Sequence, residues 1–153
     1  MILVATGTRL FLLALPPYFA WEMLQVPAFT GMPADWRAAT MVCAQATVGD
    51  GVIVLALFGV GVLVFRDRRW FTPPRLGRYA AVVAVAMVVQ VMVEWIMVYR
   101  LGRWGYAPWQ PLLPLLGVGV LPVVQPVVLL PPVFWALART SGQDAHPHEV
   151  ERA

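Results

Sequence analysis

Four long apolar runs, separated by short stretches carrying arginine, glycine and proline, occupy most of the chain. They cover roughly residues 5–29, 38–65, 79–99 and 112–137. A helix needs about 20 mainly apolar residues to cross the hydrocarbon of a bilayer, and each run reaches or exceeds that length. The pattern predicts an all-α, polytopic membrane helix bundle of four transmembrane helices, the fourth broken by prolines. Residues 1–139 form this transmembrane domain, and the polar stretch 140–153 has the composition of a disordered cytoplasmic tail.

The first run opens with Arg9 followed by Leu10-Phe11-Leu12-Leu13-Ala14-Leu15, a pattern a signal peptide also shows. Around Tyr18-Phe19-Ala20-Trp21 there is no A-x-A-like cleavage site, and apolar character continues through Met23, Leu24 and Val26, so this run reads as a retained helix. The second run is long enough to span with tilt. Between runs two and three, residues 66–78 hold five arginines against one aspartate, and the positive-inside rule assigns such a loop to the cytoplasm. Both termini then lie on the cytoplasmic side, with Arg9, Arg66, Arg68, Arg69, Arg75, Arg78, Arg139 and Arg152. Arg37, Arg100 and Arg103 remain outside, and the loop with Trp104, Tyr106 and Trp109 reads as an interfacial aromatic belt.

Composition agrees with this reading. Hydrophobic residues make up 60% of the 153 and charged residues 12%, about half the charged share of a soluble domain. Every basic residue is an arginine, and most sit between the apolar runs, so the sequence pI of about 9.6 reflects membrane patterning and gives no reason to expect a nucleic-acid partner. The lipid bilayer is the partner the composition names. Cys43 is the sole cysteine, which precludes an intrachain disulfide and a cysteine-based zinc site. His146 and His148 both belong to the tail, so no bis-histidine haem fits the bundle. The sequence names no cofactor.

Carboxylates in the hydrocarbon cost a few kcal/mol on insertion scales and normally face the bundle interior. Three candidates occur: Glu22 near the outer end of helix one, Asp50 in the second run, and Glu94 about two turns before the end of helix three. At 1.5 Å per residue, Glu94 is roughly 9 Å below Arg100 and Asp50 roughly 20 Å from Arg37. Helical spacing adds polar neighbours: Gln90 lies one turn from Glu94, Gln25 one turn from Glu22, and Thr40, Cys43, Thr47 and Asp50 form a stripe. Small and polar residues at such spacings also serve as helix–helix glue. Arg100 and Arg103 read first as headgroup anchors, with a secondary role of neutralising Glu94 from above.

Run four is punctuated by Pro108, Pro111, Pro114, Pro122, Pro126, Pro131 and Pro132 and loosened by Gly117 and Gly119. Proline removes a backbone donor and frees the carbonyl four residues earlier. Pro122 and Pro126 therefore release the carbonyls of Val118 and Pro122 beside Gln125, in a segment expected to be kinked or broken. Pro16-Pro17 repeat the theme in run one.

Glu94-Trp95, Gly102-Arg103-Trp104-Gly105-Tyr106-x-Pro108, Pro114, Gly117-x-Gly119, Leu121-Pro122-x-x-Gln125, Pro131-Pro132 and, in run two, Thr47-Val48-Gly49-Asp50 together resemble an uncharacterised family of small bacterial four-helix integral membrane proteins. The resemblance spans most of the chain, implies a bacterial inner membrane, and implies no activity. Lipoprotein signal peptidases need two intramembrane aspartates, where this chain has Asp50 alone. Small multidrug transporters also carry a glutamate in helix one, but the residues around Glu22 do not match theirs, and the alcohol-phosphotransferase signature is absent.

The leading expectation is a binding or transport module in which Glu94, Asp50 and Glu22, with Gln90 and Gln125 and with Arg100 and Arg103 nearby, form an intramembrane site for a cation, proton or small amphipathic molecule. Two other classes stand beside it: a membrane-embedded enzyme acting on a lipid or isoprenoid, with a carboxylate as general acid or base, and a structural subunit whose carboxylates meet a second copy or a membrane protein partner.

Overall fold

The computed structural model describes residues 2–143, so the proposed tail with His146, His148 and Arg152 lies outside the described residues. Helix α1 covers Ile2–Gln25 and runs on through a tight turn, Val26–Ala28, into a two-residue strand β1, Phe29–Thr30. Helix α2 spans Trp36–Phe65 and α3 spans Leu76–Trp95, continued by a wider π-helical turn, Ile96–Arg100. Strand β2, Gly105–Tyr106, pairs antiparallel with β1, placing Phe29 opposite Tyr106 and Thr30 opposite Gly105. Helix α4, Val120–Gln143, completes the chain. Four segments, Leu3–Ala28, Trp36–Phe65, Leu76–Arg100 and Val120–Ser141, are long and apolar enough to cross a membrane. The protein is a multi-pass membrane helix bundle.

Local chemistry sets the boundaries. Asp35 caps α2, its carboxylate accepting from the Ala38 N–H at 2.9 Å, so the helix starts two residues earlier than hydropathy suggests. At the other end Arg66 takes the left-handed conformation (φ 50°) that turns the chain out of the helix. In the fourth run the interruption falls at the front. Residues 112–119 form a small hairpin closed by a Leu112–Gly119 bridge and by Leu113 N–H donating to the Val118 carbonyl at 2.7 Å. The carbonyl freed by Pro122 is therefore satisfied from the hairpin, and the chain is helical from Val120 onward with Pro126, Pro131 and Pro132 inside it.

Each helix turns one stripe inward at three- and four-residue spacing: Leu10, Ala14, Tyr18 and Gln25 on α1; Ala39, Cys43, Thr47, Gly51, Val54 and Phe58 on α2; Tyr79, Val82, Ala86, Gln90 and Glu94 on α3. Helix α1 packs along α2 and α4, and α4 along α3, whereas α2 and α3 touch much less. That looser seam positions the site described below.

The arginine-rich loop between α2 and α3 folds back into the bundle. Trp70 and Phe71 are 0% and 1% exposed, deeper than most residues of the helices themselves. The Trp70 indole lies edge-on to Phe134 at 4.8 Å, near Phe65 and Tyr79, and donates to the Phe58 carbonyl at 3.2 Å. Tyr79 Oη donates to the Phe71 carbonyl, and Arg78 donates both to Asp67 at 2.8 Å and to the Trp70 carbonyl. Hydropathy cannot see this plug, because the two aromatic residues are flanked by arginines and prolines.

Candidate functional site

The end of the bundle opposite that plug is polar inside. On the last turns of α1, Trp21, Glu22 and Gln25 form a chain: the indole N–H donates to Gln25 Oε1 at 3.0 Å, and Gln25 Nε2 donates to Glu22 Oε1 at 2.8 Å. Gln125 reaches the same place from α4. It is 1% exposed, and its Nε2 donates to Glu22 Oε1 at 3.2 Å and to Asp50 Oδ2 at 3.3 Å. One amide thus bridges carboxyl groups from α1 and α2, which also lie within hydrogen-bonding reach of each other. Such an amide donor is what a buried carboxyl oxygen requires in surroundings of low dielectric.

Glu94, from α3, is 4% exposed and is held by the polar end of the extended segment that follows. Its Oε2 accepts from Tyr106 Oη at 2.8 Å and, more weakly, from Trp104 Nε1 at 3.4 Å. The Tyr106 hydroxyl also receives the Gly119 N–H, and burial pushes this phenol above its ordinary titration range. Phe29, across the β1–β2 pair, meets Trp104 edge-on at 6.2 Å and Tyr106 at 5.8 Å. Gly119 is a close-approach position: a Cβ there would stand 2.7 Å from the Tyr106 ring and 2.5 Å from Gln110 Nε2. The short sheet and its aromatic residues form a lid that Glu94 ties to α3.

Beneath the lid, in the seam between α2 and α3, lies a cavity of about 380 Å³. Glu22, Asp50, Glu94, Gln90 and Arg103 all line it, and Gln125 braces two of the carboxyl groups from behind. Arg100 is not part of it. That guanidinium lies 5.4 Å from the centroid of the Trp95 ring, on the exposed side of α3, and Glu94 takes its hydrogen bonds from Tyr106 and Trp104, not from an arginine above. Of the polar stripe on α2, Cys43 and Asp50 reach the cavity wall. Thr47 is buried and gives its hydroxyl to the Cys43 carbonyl, and Thr40 gives its own to the Trp36 carbonyl.

Several lining residues escape a reading based on intramembrane charge. Phe29, Met32, Val42, Ile53, Val93 and Met97 supply an apolar wall, and Trp104 the aromatic roof. The spacing Trp104-Gly105-Tyr106 held a usable signal, since residues two apart on an extended chain share a face. Gln45 was the other: an amide inside an apolar run, two residues from Cys43 and so on the flank of α2 rather than on its buried stripe.

No family model matches the chain, and neither does any curated protein or solved structure. The functional reading therefore rests on the site itself. Carboxyl groups from three helices, three glutamine amides and an aromatic roof enclose a chamber large enough for a small organic molecule. Its acidic groups outnumber the single lining arginine, Arg103.

Proposed function

We propose that the protein is a binding or transport module of a bacterial inner membrane, with N- and C-termini in the cytoplasm, whose intramembrane carboxylate site takes a cation, a proton or a small amphipathic molecule. The observation that carries this reading is the convergence of Glu22, Asp50 and Glu94, from three different helices, on one cavity. Isolated acids used as helix glue would each pair locally; here the groups are spread around a shared space and braced by Gln25, Gln125, Tyr106 and Trp104. Support for the orientation comes from arginine. Arg66, Arg68, Arg69, Arg75 and Arg78 gather at the sealed end of the bundle with Arg139, whereas Arg37, Arg100 and Arg103 stand at the cavity end. The cavity then faces the outer half of the membrane.

Native mass spectrometry of the gently extracted protein, beside Glu94→Gln and Asp50→Asn, tests the reading. A defined adduct is expected on the wild type and is expected to be lost or strongly reduced in both variants. Equal, bare spectra from all three proteins would overturn it.

A further inference from the structure

The cavity has a direction. Gln45 and Gly49 line it, yet both are exposed on the outer flank of α2, so the chamber opens sideways through the seam between α2 and α3. At 1.5 Å per residue they stand about 14 and 20 Å along α2 from Trp36, deeper than the headgroup layer and level with acyl chains. An exposed amide at that depth finds no hydrogen-bonding partner in lipid, and the rim of a port gives Gln45 a reason to be there. Gly49 borders open space, since a Cβ at that position would meet nothing within 4 Å.

The walls are as asymmetric as the opening. Glu22 and Asp50 lie together on one side, and Phe29, Met32, Met97 and Trp104 contribute aromatic faces and thioethers elsewhere. Aromatic faces attract organic cations, and methionine adapts to irregular apolar shapes. A bare inorganic ion is a poor match for a chamber of about 380 Å³, and among the described residues no three metal-ligating side chains are grouped so that they could hold a metal ion. Two carboxyl groups that close share a proton, and a cationic head that displaces it gains ion pairs that neither a neutral lipid nor an anion forms there.

The geometry points to an amphipathic organic cation, its charged head at Glu22 and Asp50, admitted from the acyl-chain region of the bilayer through the seam between α2 and α3. This rests on the reading of the cavity as a ligand site and names the class of ligand and its route.

The test uses the full-length protein in nanodiscs of zwitterionic lipid, with empty nanodiscs as the reference for partitioning. Tryptophan fluorescence is titrated with dodecyltrimethylammonium, with uncharged dodecanol and with tetramethylammonium, the head without a tail. Dodecyltrimethylammonium is expected to bind best and to lose about 10- to 100-fold in affinity in Asp50→Asn, which removes one of the two carboxyl groups facing its charge. Gly49→Phe, whose Cβ would meet nothing within 4 Å, is expected to slow association at least several-fold, with an unfolding midpoint like that of the wild type as the control for folding. Dodecanol binding as tightly as the cation and surviving Asp50→Asn would overturn the charge assignment while leaving a ligand cavity in place. Tetramethylammonium binding equally well, with Gly49→Phe without effect, would overturn the lateral route. Should no probe bind, yet native mass spectrometry show an adduct sensitive to Asp50→Asn, the ligand class alone is wrong; failure of both experiments removes the ligand site itself.

Discussion

One end of this bundle is shut by an indole and the other is held open around carboxyl groups, and a single helix, α2, serves both. At the sealed end Gly61 lies directly against Trp70, whose ring fills the space a side chain would take. Sixteen Å or so toward the other end, about eleven residues along a helix, Asp50 and Gly49 look into the cavity. The sealed end is dominated by dispersion and aromatic edge contacts, with the buried Trp70 N–H and Tyr79 hydroxyl each given to a backbone carbonyl. At the open end a polar network braces groups that would otherwise be costly at membrane depth. The lesson is that one apolar run encodes two different environments through where its small residues fall.

The largest expected effect breaks the sealed end. Trp70→Ala removes a fully buried indole with four aromatic neighbours and is expected to cost about 3–5 kcal/mol. Thermal unfolding of the detergent-solubilised variant measures it, and an unchanged midpoint would mean the plug is not part of the folded core.

A matched pair sharpens the contrast along α2. Gly61→Ala drives a methyl group into the Trp70 ring and is expected to destabilise by about 1–3 kcal/mol. Gly49→Ala meets open space and relieves the helix-propensity penalty of glycine, so it is expected to be neutral or stabilising by up to about 1 kcal/mol. Equal unfolding midpoints for the two variants would contradict the division into a packed and an open end.

The lid is expected to respond more mildly. Tyr106→Phe keeps the ring and its contact with Phe29 but deletes the donor to Glu94, a loss of about 1–2 kcal/mol. Hydrogen exchange at residues 101–107 reads the loosening locally, and protection as strong as in the wild type would mean that the tie from Glu94 does not hold the lid.

The smallest effect concerns the exposed rim of the plug. The Arg78 guanidinium beside Asp67, with the Arg69 N–H, holds that carboxyl below the usual aspartate range. A depressed folded-state pKa stabilises above the unfolded value, and the contribution is lost as pH falls through the folded one. Asp67→Asn is therefore expected to lower the unfolding midpoint slightly at neutral pH and to make no difference in strong acid, where both proteins are uncharged at this position. Because the pair stands at the rim, only partly buried, the difference is small and shrinks with salt.

Much of the fold was legible beforehand because a bilayer imposes one dominant rule. Apolar runs of spanning length have to be helices, since every backbone polar group must be satisfied within the segment. The run boundaries shifted by a few residues: Asp35 caps α2 ahead of its run, and α1 and α3 also start earlier, at Ile2 and Leu76. The fourth run shows where hydropathy fails: residues 112–119 are as apolar as the helix after them, but prolines and glycines turn them into a hairpin. For the site, Glu22, Asp50 and Glu94 stood out because charge is conspicuous in an apolar run. The aromatic lid did not stand out, because Trp104 and Tyr106 resemble any interfacial belt until β1 and β2 pair.

By itself, then, the sequence determined the solvent, the number of long helices and the identities of the intramembrane acids, all of which follow from transfer energies that act residue by residue. Only the tertiary structure decided that α2 and α3 part, that Gln125 joins Glu22 to Asp50 across 75 and 103 residues of chain, and that Trp70 and Phe71 turn inward. These are contacts between segments distant in sequence. They depend on which faces meet and on where glycine lets a ring or an amide come close, which no local pattern of hydropathy carries.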